Sequence, residues 1–144
     1  EYARGRPGVV EVAHPPIELQ NFEERRAAFS TLENQPVAAF CGIGNPAGFR
    51  RTLAECRLSV ADESFLQFPA HHHYRESDLA SIGTLAVRVG ARAVITTQKD
   101  LVKIPRPALD GIPLWSVAIG TRILSNAEQL ERILSRLEQR PPAA

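Results

Sequence analysis

The residues best suited to chemistry lie in one interior stretch, Phe68-Pro69-Ala70-His71-His72-His73-Tyr74, which holds three of the chain's four histidines. Histidine changes charge closest to neutral pH, with an unperturbed pKa of about 6.5. A cluster of this kind suits proton transfer, phosphate contact or metal ligation. The apolar run before it, residues 60–68, predicts a strand. Glu76-Ser77-Asp78 after it predicts the start of a helix. Catalytic and binding groups of α/β proteins gather where strands end and loops begin.

A second concentration is Thr96-Thr97-Gln98-Lys99-Asp100-Leu101-Val102-Lys103. Lys99 and Lys103 are the only lysines; the other fifteen of the 17 basic residues are arginine. A lysine offers a compact ammonium on a flexible stem, which arginine does not. Residues four apart share a face if the segment forms a helical turn. Two like charges held together are then reasonable if an anion lies near them. Asp100 can neutralise part of that charge, and the alternative is two lysines hanging in solvent.

Gly42-Ile43-Gly44-Asn45-Pro46-Ala47 matches G-x-G-x-x-G/A between a predicted strand and helix, with Asp62 twenty residues on. Asp62, however, falls inside the predicted strand, and Pro46 removes an amide donor from the first helical turn. A tight turn followed by a helix capped by Asn45 explains the same residues. Gly42, Gly44 and Asn45 remain candidate anion contacts at a helix start. No C-x-x-C, H-x-x-x-H or H-E-x-x-H occurs, so no metal site is assigned. The sequence holds neither G-x-S-x-G nor G-x-x-x-x-G-K-[ST], so it carries no recognisable ATP-phosphate cradle.

These segments need a scaffold. A lead-in occupies residues 1–16, with a short apolar run at 9–13, and resembles the end of a linker. Residues 17–30 carry Leu19, Phe22 and Phe29 at roughly helical spacing and predict a helix. Strands are expected at 37–41, 60–68, 93–96 and 114–119. Helices are expected from Asn45 to about Cys56, from 76 or 77 to about 89, and over 126–137, with Leu130, Ile133, Leu134 and Leu137 as the last one's apolar face. Gly90 is expected to stop the second of these. Residues 97–103 are expected as a loop or one helical turn, and Pro141-Pro142 as a frayed tail. Strands alternating with helices imply an α/β fold: a mainly parallel sheet of four to five strands with helices on both faces, over residues 17–140. Loops 42–46, 69–74 and 97–103 should then share the carboxyl edge of the sheet.

Bulk properties agree with one globular domain. The 144 residues are 44% apolar and 23% charged. The net charge of +1 argues against nucleic acid as a partner. Cys41 and Cys56 fall on a predicted strand and helix and read as reduced, buried thiols. No apolar run approaches the ~20 residues that span a bilayer. Lacking an initiator methionine, the chain is expected to be part of a longer protein.

Three motifs in order resemble one family: Ala39-Phe40-Cys41-Gly42-Ile43-Gly44-Asn45-Pro46 with Phe49, the histidine stretch 68–74, and Thr96-Thr97-Gln98-Lys99-Asp100 with Lys103. They look like the C-terminal half of the tetraacyldisaccharide 4'-kinases, over about residues 37–120. The resemblance implies a two-domain lipid kinase of lipid A biosynthesis, working at the cytoplasmic face of the bacterial inner membrane. Its N-terminal P-loop domain, missing from this chain, would carry ATP and Mg²⁺ and meet the membrane surface. Its substrate would be an acylated disaccharide 1-phosphate. The isolated C-terminal domain would hold no cofactor and be inactive alone. The resemblance further implies that His71, first of the motif's histidines, is catalytic. His72, Lys99, Asp100 and Lys103 would bind substrate or support the loop. Ala70 stands where the family has aspartate, Gln98 where it has glutamate, and His73 is an additional histidine. Two other readings of the residues stay open: a stand-alone nucleotide-binding α/β module, and an interaction domain without catalysis.

Overall fold

Val37–Cys41 is a run of five residues in which every side chain is buried. A strand covered on both faces is the signature of a parallel sheet with helices packed on either side. The computed structural model, which describes residues 9–138 and the side chains up to residue 135, has that architecture. In chain order the strands are β1 (Val12–Ala13), β2 (Pro16–Gln20), β3 (Arg26–Ala27), β4 (Val37–Cys41), β5 (Phe65–Gln67), β6 (Ala93–Thr97), β7 (Ala108–Leu109), β8 (Ile112–Ile119) and β9 (Arg122–Ile123). The helices are α1 (Pro46–Glu55), α2 (Glu76–Arg88), α3 (Gln98–Leu101) and α4 (Ala127–Glu138). They fall into two compact units, one spanning residues 16–118 and one combining the segments on either side of it.

The larger unit is a sheet of order β3-β2-β8-β6-β4-β5, with β7 added beside β8. Four consecutive members, β8, β6, β4 and the edge strand β5, are mutually parallel. With β2, β3 and β7 the sheet has seven strands where four to five were expected. Side chains of β4 alternate between two cores. Val37, Ala39 and Cys41 pack with Phe49 and Leu53 of α1. Ala38 and Phe40 pack with Leu79, Ile82 and Ala86 of α2 and Leu101 of α3. Helices therefore cover both faces.

Local chemistry explains the helix ends. The Asn45 side chain accepts the Gly48 N–H at 2.9 Å, and Pro46 follows at the first helical position. At the end of α2, Gly90 adopts φ +64°. Its N–H bonds the Val87 carbonyl, and the Ala91 N–H reaches back to Ala86 at 2.9 Å, a glycine stop of the Schellman kind.

Two expectations are corrected. Residues 17–30 do not form a helix: they form the antiparallel hairpin β2–β3 and a 3₁₀ turn at Phe29–Leu32. Here pairing on the sheet overrides the roughly helical spacing. Leu19 is buried, whereas Phe22 is 45% exposed at the tip. The tip is held by Asn21, whose side chain accepts the Arg25 N–H at 2.8 Å. The predicted strand 60–68 shrinks to β5, because Asp62–Ser64 coil into a 3₁₀ turn and only three residues pair with β4.

The smaller unit contains the antiparallel pair β1–β9 and helix α4. Residues 1–8 of the expected lead-in, the side chain of Leu137 and the tail at Pro141-Pro142 lie outside the described residues. No helix among the described residues is long and apolar enough to cross a membrane.

Phe40 is fully buried and meets both Phe68 and Tyr74 edge-to-face, at 6.3 and 5.3 Å. Phe40→Ala should therefore destabilise the fold by about 3–5 kcal/mol, the usual range for an aromatic deleted from a core. Chemical denaturation checks this; a loss below about 1 kcal/mol would contradict the packing described.

Candidate active site

The parallel strands run β5-β4-β6-β8 in space, so the chain leaves β4 in one direction and returns on its other side to form β6. Between the carboxyl ends of β4 and β6 lies the topological switch point, where ligands of doubly wound sheets bind. Loops 42–46, 69–74 and 97–103 meet around it, as the alternation of strands and helices predicted.

They meet on one carboxylate. Asp100 is 0% exposed. Its Oδ2 accepts the Gly42 N–H at 2.9 Å and the Thr97 hydroxyl at 2.8 Å. Its Oδ1 lies 3.2 Å from the Lys103 ammonium. The same ammonium donates to the His72 carbonyl at 3.2 Å. The Thr97 hydroxyl also accepts the Asp100 N–H at 3.2 Å, capping α3. A buried charge persists only when it is paired and fully hydrogen-bonded, and Asp100 meets both conditions.

The histidines divide by role. His72 stacks on Phe68 at 4.8 Å, and its Nε2 lies 2.9 Å from Asp78 Oδ2. Asp78 also accepts the Arg75 N–H at 2.8 Å. That backbone bond, then the bond to His72, holds the Asp78 carboxyl below the usual carboxylate range. Asp78 thus orients a histidine although Ala70 cannot. His71 is exposed and adopts φ +60°. Its N–H donates to the Gly42 carbonyl at 3.0 Å, so Gly42 binds Asp100 through one backbone group and His71 through the other. His73 is exposed.

Gly42 has no room for a side chain: a Cβ there would stand 2.9 Å from Tyr74 Oη and 3.2 Å from both His72 Cβ and the Pro69 carbonyl oxygen. Tyr74 Oη is buried, with no hydrogen-bond partner among the described residues. Burial, and next the nearby Asp100 charge, push its pKa far upward. Burial likewise pushes the Cys41 thiol up to about 11, with Asp100 adding to the effect. Both cysteines are free and buried.

Lys99 is exposed, whereas Lys103 is folded onto Asp100. The carboxylate beside Lys103 is thus the chain's own Asp100. Of the candidate anion contacts, Gly44 is exposed, but the Gly42 amide is already given to Asp100 and the Asn45 side chain to Gly48. Pro46 offers no N–H at the first helical position. No three His, Cys, Asp or Glu side chains among the described residues converge as a metal-ligand set. Beside the edge, a cleft of about 320 Å³ is lined by Gln20, Asn21, Gln98 and Ser116 among others. Asp78 was the contributor not singled out as a site residue. Its signal was its place at the third position of α2, where a carboxylate caps the helix start.

Fold and site together define a doubly wound α/β domain that presents an exposed histidine at its switch point. The family profile of tetraacyldisaccharide-1-P 4'-kinase matches residues 4–138, and the chain belongs to that family. The chain is 32% identical over 111 residues to the tetraacyldisaccharide 4'-kinase of Syntrophus aciditrophicus, covering 76% of this chain and 29% of that protein. To the kinase of Anaeromyxobacter dehalogenans it is 35% identical over 130 residues, covering 88% and 34%. It thus spans about a third of the length of these relatives. The crystal structure of the "apo" form of LpxK from Aquifex aeolicus, in complex with ATP, aligns with a TM-score of 0.63 and 22% identity. The match covers 95% of this chain and 38% of that one, and at this identity it establishes the fold alone.

The lowered pKa of Asp78 carries a pH signature. A carboxylate depressed in the folded state contributes stability that is complete above its unfolded pKa, about 3.9, and is lost as pH falls through the folded value. Wild type should therefore lose stability below about pH 4 more steeply than Asp78→Asn does. Denaturation midpoints across pH 2–6, the span of carboxylate titration, decide this; parallel profiles would contradict it.

Proposed function

We propose that this chain is the C-terminal α/β part of an ATP-dependent kinase that phosphorylates the 4' hydroxyl of tetraacyldisaccharide 1-phosphate in lipid A biosynthesis. The observation that carries the reading is His71, an exposed imidazole whose peptide is fixed at the switch point by Gly42. Phosphoryl transfer is catalysed by positioning, charge neutralisation and help for the attacking hydroxyl. His71 takes part in the last of these: the 4' hydroxyl gives its proton towards the imidazole as its oxygen bonds the γ-phosphorus of ATP, and the bond from that phosphorus to the β-phosphate oxygen breaks, releasing ADP. His72 is committed to Asp78 and shapes the loop.

ATP and Mg²⁺ belong to an N-terminal P-loop domain outside this chain, and the motif loops described here lack a phosphate cradle of their own. Domain closure brings that domain against the His71 edge. Lys99, exposed beside it, contacts the substrate's phosphate. The protein works at the cytoplasmic face of the inner membrane, which it meets through its N-terminal part.

In the full-length enzyme, His71→Ala should lower kcat by roughly 10²–10⁴, as expected for a lost acid–base group. His73→Ala should do much less. A loss under about threefold at His71 would return the loop to an ordinary solvated turn. Lys99→Ala should raise KM for the phosphorylated lipid more than it lowers kcat, the pattern of lost uniform binding. An unchanged KM would remove Lys99 from the site. Purified residues 1–144 alone should show no ATP-dependent phosphorylation of the disaccharide.

A further inference from the structure

We propose that Lys103 is a positioning residue: its ammonium clasps the histidine loop to the buried Asp100 carboxylate and so sets where His71 stands, instead of contacting substrate. The inference rests on the reading of His71 given above.

The connections run from both oxygens of one carboxylate. Asp100 Oδ2 holds the Gly42 N–H, and the Gly42 carbonyl holds the His71 N–H at 3.0 Å. Asp100 Oδ1 holds Lys103 Nζ, which in turn holds the His72 carbonyl at 3.2 Å. The backbone of His71 and His72 is therefore gripped at its entry and its exit. Each grip ends on the same 0%-exposed side chain.

Lys103 cannot easily leave this place. It is the cation that compensates Asp100, and a buried carboxylate stripped of its partner is strongly destabilised. Its ammonium also lies 5.8 Å from the Tyr74 ring centroid, within reach of a cation–π contact. A lysine held this way is poorly suited to follow a substrate phosphate; Lys99 and Lys103 are both exposed as residues, but of the two only Lys103 is bonded to a carboxylate among the described contacts. The clasp also answers a backbone problem. His71 sits at φ +60°, a conformation that non-glycine residues keep only when their surroundings enforce it. Removing the clasp lets the turn relax and moves the imbalance onto the catalytic geometry, where displacements of about 1 Å lower rates by up to about 100-fold.

Kinetics of the full-length enzyme test this through a double-mutant cycle. Lys103→Met should lower kcat by about 10- to 100-fold while KM for the disaccharide 1-phosphate stays within about threefold. Lys103→Arg, which keeps a cation, should recover most of the loss. His71→Ala combined with Lys103→Met should be little worse than His71→Ala alone, because the two substitutions remove one function. A raised KM with kcat unchanged, or fully multiplicative losses, would overturn the proposal. Amide hydrogen exchange supplies the structural arm: Lys103→Met should speed exchange of the His71 amide while β4 and β6 stay protected. Should Lys103→Met not fold, Lys103→Gln takes its place in each measurement. If His71→Ala leaves kcat intact, the reading of His71 falls; the clasp is then judged on the His71 amide, and unchanged exchange there overturns it.

Discussion

The site depends on the burial of one negative charge. Asp100 lies out of solvent at the end of β6, and water cannot satisfy its carboxylate there. Every loop at the switch point contributes to satisfying it: Gly42 from the β4 loop, Lys103 and Thr97 from its own segment, and the histidine loop through Lys103. Such a network is stable only when complete, since a half-satisfied buried charge is worse than an apolar core. Completeness in turn dictates backbone positions. Gly42 must lack a side chain for Tyr74 to pack beside it, and His71 must accept a left-handed turn to reach the Gly42 carbonyl.

Rigidity beneath the network comes from the sheet. β4 and β6 are neighbours with every residue of β4 and the first four of β6 buried, so their carboxyl ends are fixed relative to each other. The aromatic group of Phe40, Phe68, Tyr74 and His72 supports the loop from the α2 side, with Tyr74 5.3 Å from both phenylalanine rings. One imidazole is used as structure and its neighbour is left exposed. Adjacent residues on a turn point in different directions, and this permits the division between His72 and His71.

Much of this was legible in the residues. The limits of β4 and β8's core, the N-cap of α1, the glycine stop of α2 and the convergence of three loops all follow from local chemistry or from alternating strand and helix signals. The region 17–30 was not legible, because its hydrophobic spacing mimics a helix while its single buried anchor, Leu19, answers to the sheet. Residues 60–68 misled in the opposite direction: an apolar run looked like a long strand, yet only three residues have a partner to pair with. At the site, residue types were readable and their partners were not. The two lysines four apart were readable, but not that Lys103 would pair with Asp100. Nor could the sequence show that Asp78 would orient His72, since both depend on where a turn places its backbone.

The central claim is that Asp100 holds the loops of the switch point together. Amide hydrogen exchange on wild-type and Asp100→Ala full-length protein tests it most directly. The account predicts that the Gly42 and His71 amides lose protection by at least about tenfold more than the amides of β4 and β6 do. Equal protection of Gly42 and His71 in the two proteins would contradict it.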